Sequence, residues 1–479
     1  MDVLIPQNWS RCIRERACLR RFEWLRVGWC VLMLGIIGCS TPTLLSKPIG
    51  SSEVLHLDLS SQPVPHFDLA SQRALIEGIS GYIEVGLERS PALRAAHARW
   101  KAMMLESSVV ASWPEPSLKF AAFLSAIETR VGPQQGRVGF EQRVPWPGML
   151  EAKASGMRWQ ADAQYFAIER LALTLIERIE YAYWGLWKLR ATRAIHREHL
   201  LILESLAESV RARVATGASG LSALQQVELA RTRVADSIAG QDERERILAA
   251  NLRSLIGARS VFDVPTAEGP SVVAPAPFSS QDLITQALRH PQLQEVKSLK
   301  QAAEMDVDVK RFKRYPEFRL GADWTIIGDH VMDGERHNGK DALSFGAGLS
   351  LPLWQDTYAD AIEAAEFQAR AQAFQEDELR NRLVARVIEA DAIYRDTFRR
   401  LRVYRDALVP QADDAYRSVL GSYTVGRGSI AQMLMAQRDL LELKVEYEET
   451  KAELELARAT LNQVLGIGLK RHASDGAKP

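Results

Sequence analysis

Two periodicities alternate along the chain. In the first, apolar residues recur in steps of three and four, as on one face of a helix. Leu93, Ala96, Trp100, Met103, Ser107 and Val110 follow it, and so do Leu440, Leu443, Tyr447, Thr450, Leu454, Ala457, Leu461 and Val464. The second set reads as a coiled-coil seam. In the second periodicity the step is two, as in a strand. Leu118, Phe120, Ala122 and Leu124 share one face. Val138, Phe140 and Val144 oppose Arg137, Glu141 and Arg143. Phe318, Leu320, Ala322, Trp324 and Ile326 oppose Arg319, Gly321, Asp323 and Thr325. Leu343, Phe345, Ala347, Leu349 and Leu351 oppose Ser344, Gly346, Gly348 and Ser350.

The pattern predicts a repeated order. A helix of about 35 residues ends before Pro114 or Pro316, because a residue before proline leaves the helical region. Two strands follow, then a very long helix, a Gly turn and a last helix. From Met149 to Val214 there is no proline, and from Asp356 to Ser422 only Pro410. A helix of about 65 residues spans about 100 Å, far beyond the usual globular length. The turns are Ala215–Leu221 and Tyr423–Ile430, with Gly as left-handed cap and Ser429 as N-cap.

The order is a tandem duplication. Arg89-Ser90-Pro91 pairs with Arg289-His290-Pro291, Trp113-Pro114-Glu115 with Tyr315-Pro316-Glu317, Val144-Pro145 with Leu351-Pro352, Thr216-Gly217 with Val425-Gly426, and Leu252–Gly257 with Leu461–Gly466. The spacing drifts only from about 200 to about 209 residues and the order is kept. The expected divisions are a signal peptide 1–38, an N-terminal linker 39–72, a first repeat 73–260, a Pro/Ala/Ser-rich linker 261–280, a second repeat 281–468 and a tail 469–479.

Each strand has the length of a tilted strand crossing a bilayer, about 9 to 11 residues. The face away from the apolar side is small or charged throughout, as a water-filled lumen requires. A half-buried soluble sheet has the same period. Four strands cannot close a transmembrane barrel, which needs about 8. Open edges in lipid leave costly unpaired backbone groups, so the barrel is shared between chains. Three copies give 12 strands. The expected fold class is therefore an α+β membrane protein: long α-helices forming a tunnel, plus four strands per chain.

Lys+Arg and Asp+Glu both number 60 among 479 residues. That balance gives no support for nucleic-acid binding. All four cysteines, Cys12, Cys18, Cys30 and Cys39, lie in an Arg-rich N-terminal segment with an apolar run from Val27 to Ile37. The run is too short to span a membrane and suits a secretory signal. Ile36-Ile37-Gly38-Cys39 resembles the lipobox of bacterial lipoproteins, so Cys39 is expected to carry lipid; an uncleaved anchor is the alternative. Ser40 in place of Asp leans toward the outer membrane. The n-region is unusually long, which leaves open a start downstream of Met1.

No phosphate loop, nucleophile elbow or paired-Cys motif is present, so an enzyme is not expected and no cofactor is implied. His196 and His199 lie one turn apart on a helix, and His330 and His337 in a loop; either pair could share a metal, though exposed surface is the plainer reading.

Over about residues 73–468 the chain resembles the TolC-like outer membrane efflux family. Tyr423-Thr424-Val425-Gly426, Ala436-Gln437-Arg438-Asp439-Leu440 and Phe345–Leu353 carry the resemblance. It implies a homotrimer whose shared barrel sits among outer-membrane lipids and whose helical tunnel crosses the periplasm. The tunnel tip would meet a periplasmic adaptor protein of an inner-membrane pump, of the RND type. Gly217, Ala218 and Ser219, with Val425, Gly426, Arg427, Gly428 and Ser429, would be the adaptor-contacting tip. Pro145 and Pro352 would let the chain swerve from barrel to tunnel. Many members carry acidic residues past the second tip turn, which narrow the tunnel and select cations. Gln432 and Met435 stand at those positions here, with Ala223 and Gln226 in the first repeat. They imply a constriction that gates by size and dewetting. Pro145 to Gly148 looks like members paired with heavy-metal efflux pumps. The alternatives are a structural periplasmic coiled coil or adaptor, and the outer-membrane duct of a type I protein-secretion system.

Overall fold

The computed structural model describes residue 75 and residues 78–468, apart from 259–261, 267–268, 276–278 and 330–338. The lipobox with Cys39, and His330 and His337, lie outside the described residues.

The element order is α1 (Ile79–Arg89), α2 (Pro91–Ala111), β1 (Ser117–Thr129), β2 (Gly132–Val144), α3 (Met149–Ala215), α4 (Leu221–Leu255), α5 (Ser280–Ala287), α6 (Pro291–Phe312), β3 (Phe318–Ile327), β4 (Ala342–Leu349), α7 (Gln355–Val403), a π-turn (Tyr404–Leu408), α8 (Val409–Thr424) and α9 (Ile430–Leu465). Helix α3 has 67 residues, or about 100 Å at about 1.5 Å per residue. It packs against α2, α4, α6 and α9. Its first turns bury Ala152, Ala154, Gly156, Ala161 and Ala163, small residues that let α6 approach closely.

Three expectations are corrected. The single opening helix is two: Ser90 ends α1 and caps α2, accepting from the Leu93 N–H, with Pro91 in the first turn. The second half breaks at His290-Pro291 in the same way. Proline costs nothing at a first turn, where its missing N–H would be unpaired anyway. The periodic positions Leu93 to Val110 all lie beyond the break, so they do not mark it. The second long helix is likewise interrupted. Pro410 cannot donate to a carbonyl four residues back and its ring crowds that position. The preceding turn widens, and the Val409 N–H donates to the Tyr404 carbonyl, five residues back. Strand β4 stops at Leu349 rather than Leu351.

The four strands form one antiparallel sheet in the order β1-β2-β3-β4. The β2–β3 pair joins the two halves, with Val144 opposite Phe318 and Val138 opposite Trp324.

The two largest apolar cores among the described residues hold the helices. The larger gathers Tyr82, Ile83, Leu173, Ile176, Ile179, Tyr183, Trp184, Leu252 and Ile256 from α1, α3 and α4. The smaller gathers Leu283, Val387, Tyr394, Leu401, Leu454, Leu461 and Val464. Between the halves the linker is fastened. Arg190 donates to the Val264 carbonyl at 2.6 Å and pairs with Glu245 at 2.7 Å, and the Tyr82 hydroxyl donates to the Pro265 carbonyl at 2.8 Å. Tyr394 does the same for Val273 at 3.1 Å.

Candidate functional site

The candidate features lie at the two ends of the long helices. At one end is the sheet. Register places Leu118, Phe140, Ala322 and Phe345 in one row, and Phe120, Val138, Trp324 and Leu343 in the next. This face is uncovered: Phe120 is 73% exposed, Leu343 65% and Phe345 81%. The opposite face carries Lys119, Gly139, Asp323 and Ser344 in one row, and Ser117, Glu141, Gly321 and Gly346 in another. A side chain at Gly139 would come within 2.6 Å of the Asp323 carboxylate. Lys119 and Glu141 pair at 2.7 Å on this face. Adjoining exposed apolar side chains such as these mark a surface that meets a partner or a membrane.

The sheet's helix-side end is ringed by aromatics, a feature the sequence reading passed over. Trp113 precedes β1, Trp146 follows β2, Tyr315 precedes β3 and Trp354 follows β4. Trp146 stacks on Tyr315 with centroids 4.5 Å apart and planes at 13°, and on Phe318 at 6.2 Å. The signal was present: three of the four lie in or beside the repeat anchors Trp113-Pro114, Pro145-Trp146 and Tyr315-Pro316. Pro145 and Pro352 lie in the short links from strand to helix, where the chain leaves β2 for α3 and β4 for α7.

At the far end are the two turns. Gly217 has φ 74° and Gly426 φ 78°. The Ala218 N–H donates to the Arg213 carbonyl at 2.8 Å and the Gly217 N–H to Val214 at 3.0 Å. In the second turn Arg427 donates to Ser422 at 2.9 Å and Gly426 to Tyr423 at 3.0 Å. Both are the same left-handed C-cap, which returns the last helical carbonyls their partners. Ser429 then caps α9 in a reciprocal box: its hydroxyl accepts from the Gln432 N–H at 3.2 Å, and the Gln432 side-chain oxygen accepts from the Ser429 N–H at 3.3 Å. Gln432 is thus engaged in the turn itself. Met435, one turn on, is 57% exposed, while Met433 is buried. Ala223 is buried against Ala207, Val210 and Val227.

His196 and His199 are engaged within the helix packing rather than exposed together. The His196 Nδ1 lies 3.0 Å from the Gln241 amide nitrogen. Burial holds His199 down to about 4, with His196 and Lys444 adding to the effect. Among the described residues no group of three or more His, Cys, Asp or Glu could hold a metal ion, and no helix is long and apolar enough to cross a membrane.

Residues 283–467, the whole of the second half's helix–strand–strand–helix order, match the family model of the outer membrane efflux protein. The match covers the second half of the chain and stops short of the first. The solved structures the chain is similar to span both halves. The outer-membrane channel OprN is 15% identical, with 86% of this chain and 96% of that one covered and a TM-score of 0.72. VceC of Vibrio cholerae is 18% identical, covering 81% and 96%, with a TM-score of 0.68. The open state of MtrE from Neisseria gonorrhoeae is 17% identical, covering 82% and 90%, also at 0.68. At these identities the likeness establishes the fold. No curated protein matches the chain by sequence. The chain thus shares the helix-rich architecture with one small sheet of these outer-membrane channel structures.

Proposed function

We propose that three copies of the chain close their sheets into one barrel across the outer membrane and their long helices into a tunnel across the periplasm. The observation that carries this is the sheet: four strands with an uncovered apolar face, a small and charged opposite face, and two outer strands, β1 and β4, each paired on one side only. Lipid accepts the apolar face, water the other, and the edges are satisfied when β4 of one copy pairs with β1 of the next. Trp113, Trp146, Tyr315 and Trp354 then form an aromatic girdle at the periplasmic interface, as in outer-membrane barrels.

On this reading the protein is the passive exit duct of a tripartite efflux system. The turns Gly217–Ser219 and Val425–Ser429 dock on a periplasmic adaptor, and an inner-membrane pump of the RND class supplies the energy. Gln432 and Met435 narrow the tip, and Pro145 and Pro352 turn the chain from barrel to tunnel. Cys39 anchors the mature chain by lipid. Drugs or heavy-metal cations are the cargo classes that fit such a duct.

The test is extraction and conductance. The full chain is expected to require detergent, to run as a cross-linkable trimer and to conduct ions in a planar bilayer. A soluble monomer that conducts nothing would overturn the reading and favour a periplasmic coiled coil.

A further inference from the structure

On the polar face of the sheet, at its aromatic-ringed end, two arginines stand directly opposite each other. Arg143 on β2 is the register partner of Arg319 on β3. Like charges opposed across a strand pair destabilise a sheet, so this pairing is not there for stability. Both side chains are exposed. Among the described residues neither guanidinium has a carboxylate in ion-pair range.

The two arginines line a recess of about 210 Å³ with Glu115, Ser117 and Glu141. Glu141 is already held by Lys119 at 2.7 Å. Counting Lys119, three cations therefore face two carboxylates. In the regularly paired part of the sheet the same face carries Lys119, Arg137, Arg143 and Arg319 against Glu141 and Asp323. No acidic residue occurs in β4. An arginine offers a planar fork of donors that matches an oxyanion two bonds at a time. Glu141 attracts both from beyond ion-pair range, but its close partner is Lys119, so two such forks, opposed across the strands, leave room for an oxyanion between them.

We propose that Arg143 and Arg319 form an anion-binding station in the pore, so that the channel favours solutes bearing a carboxylate or another oxyanion and, of the two cargo classes above, acidic drugs over heavy-metal cations. The proposal rests on the polar face being the lumen. In a threefold pore the station occurs three times around one ring, and rings of arginine confer anion preference on a pore. Gln432 and Met435, at the opposite end, carry no charge that would oppose it.

The experiment is a reversal-potential measurement on the purified full chain in a planar bilayer under a potassium chloride gradient. The wild-type pore is expected to pass chloride in preference to potassium. Arg143→Gln with Arg319→Gln is expected to lower that preference several-fold, and Arg143→Lys with Arg319→Lys to keep most of it. A pore that conducts but prefers cations, or whose preference is unchanged in the Gln pair, overturns the station and leaves the channel reading intact. A trimer that never conducts overturns both. Should the Gln pair fail to assemble, wild-type pores decide: millimolar sulfate lowers the chloride current if the station binds oxyanions, and leaving it unaltered refutes the proposal.

Discussion

The guanidinium carbon of Arg213 lies 5.1 Å from the centre of the Tyr423 ring, over its face. Arg213 is in the last turn of α3 and Tyr423 in the last turn of α8, so this contact ties one tip turn to the other. Tyr423 is buried, which places the cation over a partly desolvated ring. Such a contact is worth about 1 kcal/mol. A double-mutant cycle of Arg213→Ala and Tyr423→Leu should give a coupling of that order. Hydrogen exchange should quicken at 217–220 and 426–429 together, with the strands unaffected. Quickening in one turn alone would show that the contact does not couple them.

The tip glycines are needed for conformation rather than room. A side chain at Gly217 or Gly426 would meet nothing within 4 Å, yet both have positive φ. A left-handed conformation costs a residue with a side chain about 1–2 kcal/mol. Gly217→Ala and Gly426→Ala should each open their turn to limited proteolysis. Gly217→Asn should be milder, because Asn tolerates that region. Equal sensitivity of the Ala and Asn variants would mean that space, not φ, is limiting.

Much of this was legible in the sequence, and the reason is physical. A sheet with one bare apolar face and one wet face must alternate strictly, so Phe318–Ile326 and Leu343–Leu349 declared themselves. Gly217 and Gly426 stood where a helix reverses, and each is a left-handed cap. What stayed hidden has two causes. Proline sits in a first turn at Pro91 and Pro291, where it gives no stop signal, and the helix resumes at Pro410 after one widened turn, so none of the three showed as an end. Contacts such as Arg213 with Tyr423, or Arg143 opposite Arg319, join residues from different halves, and only the fold brings them together.

His290 should make the molecule acid-labile. Its Nδ1 accepts from the Gln292 N–H at 3.1 Å, so the proton sits on Nε2, which donates to the Gln463 carbonyl at 3.1 Å. The ring thereby ties the start of α6 to the end of α9. Burial lowers its pKa from 6.5 to about 4, with nearby Arg386 and Arg170 acting in the same direction and the Gln463 bond against it. The folded state therefore prefers the neutral ring. Its contribution is complete above pH 6.5 and is lost as the pH falls from 6.5 to about 4, by on the order of 3 kcal/mol at most. His290→Asn keeps an acceptor and a donor but does not titrate. Amide protection in α6, compared at pH 7 and pH 4.5, should fall less in the variant than in the wild type. An identical fall would assign the acid loss elsewhere, with buried His199 the next group to replace.

Adjacent residues on β4 offer the sharpest check of which face meets lipid. Leu343 is opposite Trp324 on the apolar face, and Ser344 is opposite Asp323 on the polar one. Both are exposed within the single chain, so neither substitution disturbs a packed core. An arginine facing lipid at mid-bilayer costs about 2–4 kcal/mol per chain, and less near the interfaces; in a threefold barrel the cost is paid in every copy. Leu343→Arg should therefore sharply reduce the cross-linkable oligomer recovered from the outer-membrane fraction. Ser344→Arg should leave that recovery close to wild type, because its side chain enters water. If the two variants assembled equally well, the faces would not differ in solvent and the sheet would not be part of a barrel. If Ser344→Arg were the defective one, the faces would be assigned the wrong way round, and the opposed arginines on β2 and β3 would point to lipid instead of the pore.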